Sequence, residues 1–187
     1  MENFIKRIDA IGELSAESKA ALLDAWEEWS VPKDHFLVRE NSVAHHLFYI
    51  KKGIARIYYF KNGKEITEWI ALDNQFFFSI ISFFEQKPSN LIIHTLEASE
   101  VLGIHYDKLM ALCDQYHDIE RWFRKAITGS LILSQYRMDS IQFETAQQRY
   151  EKLLANYPTI VQRVPLSYIA SFLGITQETL SRIRSQY

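Results

Sequence analysis

The sequence predicts an α+β protein: an N-terminal β-roll or jelly roll with helices before it, then a long helix, then a small all-helical C-terminal domain. Three observations carry that expectation. Between Phe36 and Ile104, short runs rich in β-branched and aromatic residues recur at about 8–12-residue spacing. From Asp118 to Ile141 there is no proline, and apolar residues fall on more than one helical face. From Pro165 to Arg184, two short amphipathic stretches flank Gly174.

The first 30 residues read as helical. Ile5, Ile8, Ile11 and Leu14 recur at near-helical spacing, and Ser15 is a fair N-cap for a second helix expected to run to about Trp29, before Pro32. Leu47–Ile50, Ile54–Phe60 and Glu65–Ile70 are the clearest strands, with Asn62-Gly63 between two of them. Asn-Gly is the strongest short hairpin signal because both residues tolerate the positive φ of a type I′ turn. Gly53 marks another turn, and Leu91–Glu97 with Val101–Tyr106 completes seven or eight strands.

Asp118 is a candidate cap for the long helix, whose apolar residues include Ile119, Trp122, Phe123, Ile127, Leu131, Met138 and Ile141. A lone helix of that length rarely buries so much apolar surface within one small domain, so a helix shared between two subunits is expected. Ala146–Asn156 forms a further amphipathic helix through Tyr150, Leu153 and Leu154, and Pro158 breaks it. The expected organisation is a β-roll with N-terminal helices over 1–116, a dimerisation helix over 117–143 and a helical domain over 144–187.

Composition narrows the function. The 187 residues are 48% hydrophobic and 24% charged, with 21 Lys+Arg against 23 Asp+Glu, a net charge of −2. From Arg149 onward, however, five basic residues face two acidic ones, while the rest of the chain is acidic, as for a nucleic-acid reader on a regulatory body. The single cysteine, Cys113, excludes an internal disulfide framework and a Cys₄ metal site. The longest apolar run, Phe76–Phe84, is interrupted by Ser79 and Ser82 and is too short to span a bilayer. The N-terminus lacks the apolar core of a secretory signal, so a cytoplasmic protein without membrane contact is expected. His45 and His46 are adjacent and, on a strand, would point to opposite faces, so they are not expected to share a metal. No catalytic constellation and no cofactor motif is recognisable, and an enzyme is not expected.

The function-bearing motif lies at the C-terminus. Pro165 suits a helix start; Leu166, Ile169, Ala170 and Leu173 form a buried stripe; Gly174 can take the left-handed position that closes it; and Ile175 plugs the turn. Thr176 is a good N-cap for a second helix, in which Leu180 and Ile183 face inward. This is the pattern of a helix–turn–helix, shared with any helical hairpin that has a glycine turn. Placed in a major groove, the second helix would offer Gln177, Glu178, Ser181 and Arg182 to base edges, with Arg184 placed for phosphate.

With those residues in place, the chain resembles Crp/Fnr-type bacterial transcription regulators over about residues 10 to 187. Leu47-Phe-Tyr-Ile-x-x-Gly53 resembles an early strand and turn of that family's cyclic-nucleotide-binding-like roll, and Glu100-Val-x-x-Ile104 followed by Tyr106 its last strand. Ile169-Ala-x-x-Leu-Gly-Ile-Thr-x-Glu-Thr-Leu-Ser-Arg182 is very similar to its reader motif. The resemblance implies a homodimer on a near-palindromic double-stranded operator, with Gln177, Glu178 and Arg182 at base-contacting positions. It makes RNA polymerase a further candidate partner and leaves any small-molecule effector unidentified.

Two departures qualify it. The chain ends at Tyr187, so a hairpin that usually follows the second helix is expected to be missing, leaving fewer phosphate contacts. In the effector pocket, the family's Gly-Glu pair and its phosphate-binding arginine fall on Phe78, Ser79 and Ser89, followed by Asn90, with Ser134 and Gln135 near where the long helix would reach a base. Serine offers a phosphate neither charge nor a bidentate fork, so cyclic AMP is not expected to bind in the usual way. Phe76, Phe77, Phe78, Phe83 and Phe84 suggest an apolar, self-filled pocket instead. The competing function is a ligand-sensing or protein-interaction module whose C-terminal domain does not read DNA.

Overall fold

Asn62 and Gly63 both take left-handed backbone, φ 52° and 73°, and turn β4 (Ala55–Lys61) directly into β5 (Lys64–Ala71). That hairpin belongs to one of two four-stranded sheets, ordered β2 (Phe36–Val38), β7 (Ile92–Thr95), β4, β5. The other sheet is ordered β1 (Glu27–Val31), β8 (Ser99–His105), β3 (His46–Lys52), β6 (Gln75–Phe77). Its pairs are antiparallel, with Leu47 opposite Ile104 and Tyr49 opposite Leu102. This computed structural model describes residues 1–185, so Gln186 and Tyr187, the last positions of the expected 144–187 domain, lie outside the described residues. The chain forms two compact units: Met1–Ile57 with Ile70–Gly129, and Tyr58–Trp69 with the chain from Ser130 onward.

In the first unit, α1 (Glu2–Ile11) buries Phe4 and Ile8, and α2 (Ala16–Asp24) buries Leu22. The second helix stops well before Trp29, which lies in strand β1, packed edge-on to His46. Alternation beats helical period there because Glu27, Trp29 and Val31 pair with β8. Two helices escaped the sequence reading: α3 (Ile80–Glu85) inside the apolar run, and α7 (Ile160–Arg163). Both are single turns of four to six residues, too short for a periodic signal. Helix α4 (Tyr106–Gln115) is capped by His105, whose side chain accepts from the Asp107 amide.

Helix α5 runs unbroken from His117 to Phe143. Asp118 does not cap it. Its carboxylate accepts from the Ser15 amide at 2.8 Å and the Ser18 hydroxyl at 2.6 Å, fastening the start of α2. Ile119, Trp122 and Phe123 are buried in the core of the first unit, where Trp122 Nε1 donates to the Ile8 carbonyl at 2.9 Å.

In the second unit, Thr145 and Gln148 form a reciprocal capping box at the start of α6 (Ala146–Asn156). Arg149, on that helix, donates to the carbonyls of Glu144 at 2.5 Å and Leu173 at 2.9 Å. One guanidinium thereby satisfies orphan carbonyls at the ends of two other helices, since Leu173 closes α8 (Leu166–Phe172). Gly174 follows with φ +69°, and α9 (Gln177–Arg184) completes the described chain.

Candidate nucleic-acid interface and effector pocket

The geometry of α8 and α9 follows from local chemistry. Pro165 stands at the N-cap of α8 rather than inside its first turn, and Ile169 and Ala170 are buried. The Ile175 amide reaches back to the Ala170 carbonyl at 3.0 Å, and the Gly174 amide to Ser171 at 3.1 Å. These bonds close the helix through a left-handed residue, which glycine adopts without a side-chain clash. Thr176 then caps α9, its hydroxyl accepting from the Thr179 amide at 3.2 Å.

Leu180 and Ile183 are buried, so the rest of α9 faces outward. Gln177, Glu178, Ser181, Arg182 and Arg184 are all exposed and share one arc of the helix. The Glu178 carboxyl is held below the usual carboxylate range, first by its own backbone N–H, then by Thr176 and Arg182. Arg182 Nη2 donates to the Thr179 hydroxyl at 3.2 Å. Thr179 therefore orients the arginine, a role the sequence reading missed; its signal was a hydroxyl placed three residues after the cap and three before Arg182.

The exposed half of α5 carries a second pattern. Leu131, Met138 and Ile141 are 67%, 51% and 45% exposed, apolar side chains without cover in a single chain. With Ser134 they follow a 3–4 spacing along the helix, the period of a two-helix seam. Ser134 and Gln135 are both exposed, and Gln135 donates to Asp139 one turn on at 2.9 Å.

The effector-pocket residues of the roll separate into different environments. Phe76 joins an aromatic cluster with Phe4, Trp26, Tyr49 and Trp122, and Phe77 stacks on Phe48. Phe78, Phe83 and Phe84 meet one another at centroid distances of 5.3–6.1 Å, and Phe76 packs against the same core cluster that holds Phe78 and Phe83. Phe77 is turned away from that cluster onto Phe48, because neighbouring residues of β6 point to opposite faces, so the five phenylalanines do not fill one pocket together. Ser79 and Ser89 do come together: both are buried and their hydroxyls lie 2.9 Å apart. Ser89 Oγ also bonds the Leu91 amide and carbonyl. Asn90 is exposed, and Lys87 pairs with Glu85 on the surface at 2.9 Å.

His45 and His46 do not diverge as adjacent strand residues would. His45 precedes β3 and stacks on the His105 ring, while His46 packs edge-on to the same ring. Among the described residues, no group of three His, Cys, Asp or Glu is arranged to hold a metal ion, and no helix is long and apolar enough to cross a membrane.

Residues 28–116 match the family of cyclic nucleotide-binding domains. No curated protein matches the chain. Among solved structures it is similar to FixK2 from Bradyrhizobium japonicum, with a TM-score of 0.72 at 19% identity, covering 86% of this chain and 83% of that one. It is also similar to the c-di-GMP-responsive global regulator CLP from Xanthomonas campestris, with a TM-score of 0.70 at 16% identity over 92% and 91% of the two chains. A protein from Eubacterium rectale assigned to the Crp/Fnr family of transcriptional regulators gives a TM-score of 0.67 at 16% identity, over 91% of this chain and 82% of that one. At such identities the likeness is one of fold.

Proposed function

We propose that this protein is a homodimeric, sequence-specific DNA-binding transcription regulator of the Crp/Fnr type, working in the cytoplasm without catalytic activity. In this reading 1–116 is the cyclic-nucleotide-binding-like roll, 117–143 the dimerisation helix and 144–187 the helix–turn–helix domain. The observation that carries it is α9: a capped helix after a glycine turn, anchored by Leu180 and Ile183, presenting five polar side chains on one outward arc. Their chemistry suits a major groove. Gln177 pairs with adenine, Glu178 accepts from cytosine, Arg182 clamps guanine, Ser181 serves either sense, and Arg184 neutralises phosphate.

The seam on α5 supports the dimer, since Leu131, Met138 and Ile141 are covered once a second copy pairs with them. A two-fold dimer calls for half-sites about 34 Å apart and a near-palindromic operator. RNA polymerase is a further candidate partner for this role.

The pocket is proposed not to take a cyclic nucleotide in the family's usual manner. The support is chemical: Ser79 and Ser89 spend their hydroxyls on each other and on Leu91, and Lys87 is engaged by Glu85. Neither arrangement offers a cyclic phosphate a charged fork. Selection of bound duplexes from a random pool, followed by gel shifts across a salt series, tests the function. Enrichment of a dyad-symmetric site whose affinity falls steeply with salt is the expected result. Absence of any enriched duplex overturns the assignment in favour of a partner-binding module.

A further inference from the structure

Strand β5 is the last strand of its sheet, and an open strand edge must find partners for its amides and carbonyls. At Thr67 those partners come from helices. The Thr67 amide donates to Ser171 Oγ on α8 at 2.8 Å, and the Thr67 carbonyl accepts from Arg137 Nη2 on α5 at 3.5 Å. The Ser171 hydroxyl in turn reaches the Glu65 carbonyl at 3.4 Å.

Apolar contacts reinforce the same junction. The Trp69 ring meets Phe172 edge-on, with centroids 6.0 Å apart. The Arg137 guanidinium lies over the other part of the arrangement, 4.1 Å from the Phe172 centroid. Burial lowers the Arg137 pKa to about 10, with Glu68 and Tyr59 opposing the shift, so the side chain stays charged at neutral pH. Phe172 directly precedes Leu173 and the Gly174 turn, so what holds Phe172 also holds the point from which α9 departs.

We propose that Arg137 and Ser171 are positioning residues for DNA reading: they dock α8 on the open edge of β5 and thereby set the direction of α9. The inference rests on the proposed function above. The reading arc stays exposed while α8 is docked, so the docked state is the reading-competent one. The β4–β5 hairpin is then a bracket for the reader.

The test compares the full-length chain with Arg137→Ala, Ser171→Ala and Arg137→Lys, first without DNA. Amide hydrogen exchange is expected to rise together in residues 58–69 and 166–175 of Arg137→Ala, with mass and melting behaviour retained. Arg137→Lys, which keeps a cation over Phe172, is expected to restore part of the protection. On the selected operator, Arg137→Ala is expected to bind at least tenfold more weakly, with binding to random duplex unchanged. Faster exchange confined to α5 overturns the docking, and unchanged or tighter operator binding after release overturns the positioning role. Coupled exchange in Arg137→Ala from a wild-type chain that selects no duplex refutes the DNA-reading assignment instead; a wild-type chain that selects a duplex, with no coupled exchange in Arg137→Ala, refutes this inference alone.

Discussion

The hydroxyls of Ser79 and Ser89 lie 2.9 Å apart in the interior of the roll, each less than 4% exposed. By the resemblance in sequence, they are expected at the two places where a cyclic-nucleotide pocket of the usual kind carries a carboxylate and an arginine. Calorimetric titration with cyclic AMP and cyclic GMP should give no binding heat. Micromolar affinity for either would refute the reading of this pocket.

The seam on α5 makes a prediction about mass. Leu131→Glu places a charge at a 67%-exposed apolar position, which a single chain tolerates and a paired helix does not. Light scattering at micromolar concentration should report twice 22.0 kDa for the wild type and 22.0 kDa for the variant. A monomeric wild type would remove the dimer.

Arg182→Ala should weaken binding to the selected operator by about 1–3 kcal/mol while leaving the fold intact, because the side chain is exposed and its lost partner is a base edge. Thr179→Val should cost less, since it removes only the hydroxyl that steers Arg182. Competition gel shifts measure both. Wild-type affinity in Arg182→Ala would show that the reading arc is misassigned.

Acid should loosen the roll at the His46 end of its sheet. Burial first, and then the neighbouring His105, holds His46 below the ordinary imidazole value of 6.5; His45 and Lys108 add to the effect, and Glu27 opposes it. The unfolded chain therefore binds a proton more readily than the folded one. Stability is complete above that ordinary value and declines as pH falls through it. Melting temperatures from pH 7.5 to 5 should fall, and His46→Gln should flatten the decline; an unchanged slope in that variant would exclude His46 as its source.

Much of the architecture was legible in the residues. Asn62-Gly63 announced its hairpin and Thr176 its cap, because turn and cap chemistry act over three or four positions and need no distant partner. Strand β1 was misread as helix because Glu27–Val31 has too few residues for its alternation to stand out; its pairing with β8, some 70 residues away, decides its state. Asp118 was misassigned for a related reason. It has the composition of a cap, but whose cap depends on Ser15 and Ser18 lying beside it in space.

The sequence by itself determined the order of roll, long helix and glycine-turned helix pair, and which residues of the last helix face outward, since periodicity and capping are local properties of the chain. Only the tertiary structure decided that Phe77 parts from Phe76 and Phe78, that His45 and His46 meet at His105, and that Thr67 holds Ser171 and Arg137. Each of these depends on which groups are left unpaired at a strand edge or sheet end once the sheets have formed. That depends on register and packing between segments far apart in sequence, which no local window contains.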